Sequence, residues 1–494
     1  MATDSSKGDS AMALPSSSVA GTAGDVTLPR FSAPWARVRS PRVGVALGPV
    51  AGRIALASVL IAVLALVVFS TAGPSVLVPR SNEVFPGWFA GPLHLLSNGL
   101  HTGVYALSFG LTGVLLVMLV AYFVILASLR TMSTRVIVGC LLALHLILLL
   151  SPPLQLTDLF NYIGYARLGS LHGFNPYTHT ILWEAHDPVY RFSTWHNLLS
   201  PYGPLFTAIT YLLPLGSLAA SYWLLKVIIV LTSLGFLALV WRCAVALGRD
   251  PRYALVFVAF NPIYLVYEVG GFHNDFFMLI PSMAAILLLL TRRDRYAGAV
   301  LMLAVAVKFS AVLLLPFLLV GVWPSRVRVR HILEGAVLGA IPLAAMSLAL
   351  FGFSLPNLQD QSTLLSYFSV PQVIGLVIGG GGTPTLLRLI DVAVVVAVVF
   401  LLFRARGDWL SRAGWATLAL LCSLAWLMPW YIIWVAPLAA LGSSVRLRRA
   451  TLAFTVFLVL TFVPALSVYM TWQGINPLAT PAGAASAKLQ HKLE

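Results

Sequence analysis

Residues 157–177 read TDLFNYIGYARLGSLHGFNPY and come shortly after an apolar segment, VIVGCLLALHLILLLS at residues 136–151. This polar stretch is far richer in Asp, Asn, Tyr, Arg and His than the sequence around it, and it leads to SPYGPLF at residues 200–206. A polar segment of this length between apolar segments either extends into water or forms a site. We favour a site, and its candidate chemical centre is Asp158.

The composition of the whole chain is typical of a membrane protein. Of its 494 residues 59% are hydrophobic and 10% are charged, whereas a soluble domain carries about 25% charged residues. We therefore predict an all-α polytopic membrane protein, a bundle of about 11–14 transmembrane helices of roughly 20 residues each. The net charge of +15 comes mostly from Arg and Lys in short loops between apolar runs, which fits membrane lipids rather than nucleic acid as the partner.

Three cysteines, Cys140, Cys243 and Cys422, lie isolated in apolar sequence. Their odd number and wide spacing indicate neither a disulfide framework nor a zinc site. We predict no cofactor. A divalent cation is compatible with the chemistry, but no ligand spacing indicates one.

The distribution of basic residues predicts the topology. Residues 1–50 are rich in Ser, Ala, Gly and Pro and end in a basic run, so we predict a disordered cytoplasmic tail. Three apolar spans at about 54–72, 104–128 and 136–154 then place the polar loop 155–203 on the extracytoplasmic face of the plasma membrane. The predicted transmembrane domain covers residues 51–472, and a second disordered tail is predicted for residues 473–494.

The topology of residues 204–267 has two solutions. Three apolar runs, about 204–216, 222–247 and 254–267, are separated by Lys226 and by the basic loop 248–252. If each run crosses the membrane, the basic loop lies outside, against the positive-inside rule. Either one run is re-entrant or the rule fails here.

Two later segments each have basic loops on both sides. Residues 297–323 and 413–442 are both flanked in this way, which predicts an even number of crossings in each. Their lengths suit pairs of short helices rather than two full spans. We predict that the helices break at Lys308 and at Pro429-Trp430-Tyr431, and that both breaks point toward the outer half of the membrane.

Each of four groups of residues is a candidate for chemistry and has a structural alternative: Asp158 with its tyrosines, the stretch from Glu268 to Asp275, Lys308, and Pro429-Trp430-Tyr431. Asp158 is a candidate general base, or an acid that favours a helix N-terminus. His273, Asn274 and Asp275 follow two glycines and either bind hydroxyls or a cation or cap the next helix. Lys308 either binds a phosphate or extends to the membrane interface.

Aromatic and basic residues complete the predicted site. Aromatic side chains suit sugar stacking, although belts at membrane interfaces are also aromatic. Arg167 or Arg191 is a candidate second cation for a phosphate. The predicted substrate-binding residues are Tyr162, Arg167, Asn175, Tyr177, Tyr202, His273, Asn274, Asp275, Lys308, Trp430 and Tyr431.

Five stretches together carry a family resemblance: TDLFNYIGYARLGSLHGFNPY, SPYGPLF, AFNPIYLVYEVGGFHNDFFML, VKFSAVLLLP and MPWYIIWVAPLAA, in this order over residues 157–440. The chain resembles the polyprenol-phosphate-mannose-dependent α-(1→6)-mannosyltransferases of actinobacteria, membrane enzymes of the GT-C superfamily. The resemblance implies a GT-C-type bundle with an extracytoplasmic catalytic loop, a polyprenyl-phosphate sugar donor and a glycan or lipoglycan acceptor. It also implies that Asp158 is the catalytic base.

The expected reaction is an inverting transfer of a hexose, with mannose as the expected sugar. Asp158 would deprotonate the acceptor hydroxyl, and Lys308 with a nearby Arg would stabilise the leaving phosphate. Another hexose or a pentose is the alternative within this reaction class. A lipid or sugar transporter or flippase is the alternative outside it, with the intramembrane charges as substrate or gating residues.

Overall fold

The computed structural model describes residues 47–78, 84–100, 102–214, 216–357 and 363–494. The predicted N-terminal tail lies outside the described residues up to residue 46. In chain order the α-helices are α1 Pro49–Ser70, α2 Gly87–Ala90, α3 Val104–Ser128, α4 Thr134–Leu149, α5 Asp158–Ser170, α6 Pro204–Thr210, α7 Leu218–Ala246, α8 Pro251–Ala259, α9 Asp275–Leu290, α10 Asp294–Val307, α11 Leu314–Val322, α12 Arg326–Phe351, α13 Val370–Val377, α14 Pro384–Phe403, α15 Trp409–Ser423, α16 Ile432–Leu441, α17 Val445–Phe462, α18 Pro464–Trp472 and α19 Pro481–Leu493.

The all-α prediction is confirmed, since the described ranges contain helices and loops and no β-strand beyond one isolated bridge. Among the described residues, five helices are long and apolar enough to cross a membrane: α1, α3, α7, α12 and α14. The pair α17 and α18, bent by 50°, makes a sixth if it counts as one span. The predicted 11–14 crossings would require shorter helices to cross as well, and four shorter segments are apolar.

Helix α5 lies inside the protein. The spacing of Asp158, Tyr162 and Tyr165 predicts an amphipathic helix along the membrane surface, with these residues on its polar face. The helix forms, but both tyrosines are as deeply buried as Leu159 and Phe160 on the other face. Stacking of Phe160 on Tyr222 of α7, with ring centroids 5.6 Å apart, holds α5 against a membrane-spanning helix. The surface placement is therefore wrong.

One short helix favours the re-entrant solution for residues 204–267. Helix α6 has seven residues, so it is far too short to cross a membrane. Lys226 does not separate two runs but lies within the continuous helix α7. The basic loop 248–252 consequently lies next to the loop between α3 and α4, which carries Arg130 and is followed by Arg135. Arg252 donates to the carbonyl of Met132 in that loop. This solution agrees with the positive-inside rule.

Both predicted breaks occur. Lys308 adopts an extended conformation between α10 and a 3-10 turn at Phe309–Leu313. Pro429–Tyr431 forms a 3-10 turn that follows a non-helical stretch after α15. The two ends of each segment also lie next to each other. Arg328 pairs with Asp294 at 2.7 Å across the ends of the segment that contains Lys308, and Ser443 hydrogen bonds with Asp408 across the ends of the other.

The C-terminal prediction is wrong for Pro481–Leu493, which forms α19. Thr480 caps this helix through its hydroxyl, which accepts from the amide of Gly483 at 3.1 Å. The carbonyl of Leu493 accepts a hydrogen bond of 2.9 Å from the amide of Asn197, within the polar loop. The tail is therefore helical and packs against the loop between α5 and α6.

The most deeply buried part of the chain is a continuous stretch. Every residue from 254 to 276 is buried. It comprises most of α8, a π-helix at Tyr264–Val269, the turn 270–274 and the start of α9. A π-helical turn inside a helix often marks a functional site.

Candidate active site

Asp158 is the first residue of α5, and its side chain is 19% exposed. Its carboxylate Oδ2 lies 3.6 Å from Nδ1 of His273, and Trp195 hydrogen bonds to it. The alternative role at the helix N-terminus is compatible with this position. A carboxyl group that only favours the helix dipole is normally solvated, whereas this one faces other polar side chains inside the protein.

Three residues of α5 and its N-cap, spaced four apart, hold the loop that carries Trp195. Thr157 bonds to Thr194 at 2.7 Å, and the side-chain oxygen of Asn161 accepts from the amide of Thr194 at 3.1 Å. The hydroxyl of Tyr165 donates to the carbonyl of Leu198 at 2.8 Å. The spacing i, i+4, i+8 aligns these groups along one side of the helix, so Asp158 and its loop form one rigid unit.

The turn 270–274 is tied to the same unit. The amide of Leu154, four residues before Asp158, donates to the carbonyl of Gly270 at 2.8 Å. A Cβ on Gly271 would lie 2.1 Å from the carbonyl oxygen of Tyr267 and 2.8 Å from the ring of His273. Glycine is therefore required for packing at this position.

His273 and Asp275 connect this turn to the two helix breaks. The ring of His273 stacks on Trp430 with centroids 3.8 Å apart and planes at 9°. One oxygen of Asp275, Oδ1, accepts from Nζ of Lys308 at 2.7 Å and from Nε1 of Trp434 at 2.5 Å. The polar loop and both breaks therefore meet at one place, as the sequence predicted.

The charges around Asp158 adjust its proton affinity. Burial raises the pKa of Asp158 to about 6, Lys308 acts to lower it, and Asp275 acts to raise it. Burial lowers the pKa of His273 well below its usual value, and Lys308 adds to that effect. Asp158 is therefore ionised at neutral pH while His273 is neutral.

Several buried polar atoms at this place have no hydrogen-bond partner. They are both carboxylate oxygens of Glu268, both ring nitrogens of His273, Nδ2 of Asn274 and Oδ2 of Asp275. An unpaired buried polar atom costs about 1–3 kcal/mol, so proteins rarely keep several together without a use for them. This concentration indicates a site for a polar ligand. Asn274 occupies the N-cap position of α9 without a side-chain capping bond, whereas Asp275 is the acidic residue of the first turn.

Five of the predicted substrate-binding residues besides His273, Asn274 and Asp275 surround this cluster. Lys308 lies 5.5 Å from the ring of Tyr431, and Tyr162 and Tyr202 pack edge to face at 4.9 Å. Tyr202 and Tyr431 both interact electrostatically with Asp158. Trp430 joins them through its stack on His273.

The other three predicted residues make structural contacts. Arg167 donates through Nε to both oxygens of Asp187, at 2.8 and 3.0 Å, so its guanidinium is committed to an ion pair within the polar loop. Tyr177 is buried and its hydroxyl bonds to Thr207 and to the carbonyl of Tyr202. Asn175 donates through Nδ2 to the carbonyl of Phe351, and its Oδ1 accepts from the amide of Tyr177. The prediction that Arg167 faces a phosphate is thus not supported.

The predicted substrate-binding residues omit Glu268, Trp195 and Trp434, although Glu268 begins the candidate stretch from Glu268 to Asp275. Glu268 carries a usable signal, because it is an acid at the end of an apolar run, where ionisable residues are expensive. Trp434 carries none, because a tryptophan within apolar sequence looks like any membrane aromatic. Across the described ranges, no three His, Cys, Asp or Glu side chains lie close enough to hold a metal ion.

These features define a class: all-α membrane proteins in which broken helices bring a carboxylate, an imidazole and an ammonium group together beneath a polar loop. Residues 55–324, more than half of the chain, match the family described as "Alpha-(1->6)-mannopyranosyltransferase, N-terminal domain". The chain belongs to this family.

Individual relatives agree with this assignment. The chain is 29% identical over 347 residues to alpha-(1->6)-mannopyranosyltransferase A of Mycobacterium tuberculosis, covering 62% of this chain and 64% of that protein. It is 28% identical over 191 residues to the Corynebacterium glutamicum protein of the same name, covering 34% and 35% of the two chains. A probable alpha-(1->6)-mannopyranosyltransferase of Mycolicibacterium smegmatis is 26% identical over 374 residues, covering 62% and 65%. The chain thus spans less than two thirds of the length of these relatives, and no solved structure matches it significantly.

Proposed function

We propose that this protein is a membrane mannosyltransferase that moves mannose from a polyprenyl-phosphate donor to a glycan or lipoglycan on the extracytoplasmic face. The observation that carries the proposal is the convergence of Asp158, His273, Asp275 and Lys308 among buried polar atoms without partners. Membership of the family supports mannosyl transfer over transport.

Asp158 acts as the general base. Its pKa of about 6 leaves it ionised at neutral pH yet basic enough to accept a proton. The carboxylate takes the proton of the acceptor hydroxyl while that oxygen forms a bond to the anomeric carbon. The bond between this carbon and the phosphate oxygen breaks, and its electron pair leaves with polyprenyl phosphate. The configuration at the anomeric carbon is inverted.

Lys308 is the cation for the leaving phosphate. An ammonium group has three donors, and Asp275 accepts from Lys308 at one of its two oxygens. The side chain of Lys308 is 19% exposed while that of Asp275 is 1% exposed, so the ammonium group is the open member of the pair. Asp275 fixes its position, and a phosphate oxygen can bind the remaining donors.

The aromatic side chains provide the sugar-binding surface. Tyr202 interacts electrostatically with Asp158, and the ring of Tyr431 lies 5.5 Å from Nζ of Lys308 and packs edge to face on Trp430. Their rings can stack on the apolar faces of a hexose, as large amphipathic side chains do at binding sites. Neutral His273, with both ring nitrogens unpaired, is available to hold a sugar hydroxyl.

The placement on the outer face rests on the basic loops. Arg252 and Met132 bring two of these loops together, and Arg249 interacts electrostatically with Arg448 and Asp408 near two more. The positive-inside rule assigns such a basic end to the cytoplasm. Donors on the other face have to come from the membrane itself, which agrees with a lipid-linked sugar.

The test uses the full-length protein in lipid nanodiscs with an α-(1→6)-linked mannan oligosaccharide. We expect label from polyprenyl-phosphate mannose to appear in a product one residue longer. Parallel reactions contain GDP-mannose or polyprenyl-phosphate glucose. Transfer from GDP-mannose alone would refute the lipid donor, and preferred transfer of glucose would refute mannose. Movement of the labelled lipid across proteoliposome membranes without any transfer would favour a flippase.

A further inference from the structure

Lys226 is a fully buried lysine in the membrane-spanning helix α7, and the proposed reaction gives it no role. Its Nζ donates to the carbonyl of Ser151 at 2.5 Å and to the hydroxyl of Tyr222 at 3.3 Å. Within the described ranges no carboxylate pairs with it. Buried charges are normally paired with an opposite charge, and ionisable residues at membrane depth are expensive. A lysine kept in this place without an acid therefore indicates a use.

Three aromatic rings take the place of a carboxylate around the ammonium group. The centroids of Trp223, Tyr222 and Phe272 lie 3.9, 4.7 and 4.8 Å from Nζ. The faces of such rings attract a cation, most strongly where water is excluded. Tyr222 and Trp223 belong to α7 itself, whereas Phe272 belongs to the turn 270–274. Lys226 therefore ties α7 to that turn.

The backbone of Phe272 has a conformation that needs such support. Its φ is +55°, in the left-handed region that a bulky residue rarely adopts. A strained conformation persists only where the surrounding structure holds it. The ring of Phe272 is completely buried, and His273 comes directly after it. The conformation of Phe272 therefore sets the direction in which the chain continues to His273.

The hydrogen bond of Lys226 to Ser151 leads to the base. Ser151 follows the end of α4 and begins the segment that reaches Asp158. Within this segment, the amide of Leu154 donates to the carbonyl of Gly270 at 2.8 Å. The segment that leads to the base and the turn that contains Gly270 are therefore held side by side, with Lys226 joined to both.

We propose that Lys226 is a positioning residue, which sets the separation between Asp158 and His273 by holding the two segments that carry them. The inference rests on the proposed function, in which Asp158 is the base. Lys226 acts through Ser151 and Phe272, and the two segments bring the carboxylate of Asp158 to 3.6 Å from Nδ1 of His273. An apolar side chain often replaces a buried charge without loss of stability. Removing the charge should therefore lower activity without lowering stability.

Lys226→Met tests this role, because it removes the charge and keeps an unbranched side chain. We expect kcat for mannosyl transfer in nanodiscs to fall about tenfold and KM for the donor to change less than about threefold. The midpoint of thermal unfolding should stay equal or rise. Val227→Met, at the next and more exposed position of α7, is the matched control and should leave all three values unchanged. A lower midpoint together with a lower kcat, or an unchanged kcat, would overturn the positioning role.

The link through Phe272 is tested by a double variant. Phe272→Leu removes the aromatic ring and keeps an apolar side chain. Effects of residues that contact each other are not additive. The loss of kcat in Lys226→Met/Phe272→Leu should therefore stay within about threefold of the larger single loss. A loss equal to the product of the two single losses would show that Lys226 does not act through Phe272.

Hydrogen exchange separates this inference from the proposed reaction. In the full-length protein in nanodiscs, the peptide with the amide of Leu154 should exchange at least about tenfold faster in Lys226→Met than in wild type, because the segment is held less firmly. A peptide from α12 should exchange equally in both. Unchanged exchange at Leu154 would overturn the positioning role even if transfer is observed. Faster exchange in a protein that transfers from no lipid donor would keep the role of Lys226 in joining the two segments and reject the proposed function.

Discussion

Two carboxylates of the polar loop, Asp187 and Asp158, each lie near a histidine, but they differ in how many hydrogen bonds they accept. Asp187 accepts two hydrogen bonds from Arg167, one from His172 and one from the amide of Val189. Asp158 has a histidine at 3.6 Å and a hydrogen bond with Trp195, and the side chains around it include six buried atoms without partners. The first carboxylate is fully occupied by the fold, whereas the second is left available.

The pKa values express the same difference. Burial acts to raise the pKa of Asp187, but hydrogen bonds from Arg167, His172 and Val189 outweigh it and leave the pKa below its usual value. Burial raises the pKa of Asp158 to about 6. A carboxylate satisfied by several donors is a poor base. The comparison therefore distinguishes a structural acid from a reactive one without reference to sequence position.

The largest effect is expected from Asp158→Asn. The substitution keeps the size of the side chain and removes the proton acceptor, so transfer should fall about 10³-fold, within the range for loss of a general base. Initial rates with labelled donor measure it, and gel filtration with thermal unfolding verifies that the protein is folded. A folded variant with at least a tenth of wild-type activity would end the assignment of Asp158 as base.

Lys308→Gln should reduce kcat about 10²-fold, as expected for loss of one charged group that stabilises a leaving oxyanion. The same change should move the acid limb of kcat/KM to higher pH, because the positive charge of Lys308 lowers the pKa of Asp158. Lys308→Arg keeps the charge and should keep the limb in place. An unshifted limb in Lys308→Gln would contradict the coupling of the two residues.

For the wild-type protein, the pH dependence should have an acid limb near pH 6, the pKa of Asp158. The ionised form is the base, so kcat/KM should fall about tenfold for each pH unit below that point. A rate profile between pH 4.5 and 8 in nanodiscs measures this limb. A flat profile over this range would show that another group accepts the proton.

Asp187→Asn completes the comparison, with a small effect on transfer and a clear one on stability. The guanidinium of Arg167 would lose its buried ionic partner, which costs about 3 kcal/mol. We expect a lower midpoint of thermal unfolding, while kcat of the folded protein stays within about fivefold of wild type, since the hydrogen bonds of Asp187 all serve the polar loop. A loss of activity as large as that of Asp158→Asn would erase the distinction between the clusters.

The smallest effect is expected from Gly203→Ala. The amide of Gly203 donates to the carbonyl of Val307 at 3.0 Å, and an added Cβ would lie 2.2 Å from the carbonyl oxygen of Ala306. Gly203 follows Tyr202 and Val307 precedes Lys308, so the added methyl group should move Tyr202 and Lys308 slightly apart. We expect KM for the donor to rise about threefold, or about 0.7 kcal/mol. Gly113→Ala on α3 meets no atom within 4 Å and serves as control. Equal KM values for the two variants would contradict the positioning role.

Much of the site could be predicted because charged residues are rare in membrane segments, so each one among apolar neighbours indicates a functional position. Asp158, Asp275 and Lys308 stand out against apolar neighbours, and the basic loops predicted that the chain breaks at Lys308. The helical spans follow from hydropathy in the same way. These signals are local or depend only on counting charges along the chain.

The rest depends on contacts between distant parts of the chain. Arg167 and Lys308 look equally suited to a phosphate in the sequence, and only the position of Asp187 removes Arg167 from the site. Tyr177 and Tyr202 are likewise indistinguishable until Thr207 and its neighbours occupy the hydroxyl of Tyr177. The helix α19 was missed because its sequence has little apolar surface of its own, and the polar loop supplies the partner.

The continuous burial of residues 254–276 has a consequence for how the sequence can change over time. Each side chain there touches protein on all sides, so a substitution has to be matched by another in a neighbouring element. Helix α14, by contrast, has no buried residue, and one apolar side chain can replace another there without any second change. Drift should therefore accumulate along α14 while residues 254–276 change slowly and in concert with α7 and α16.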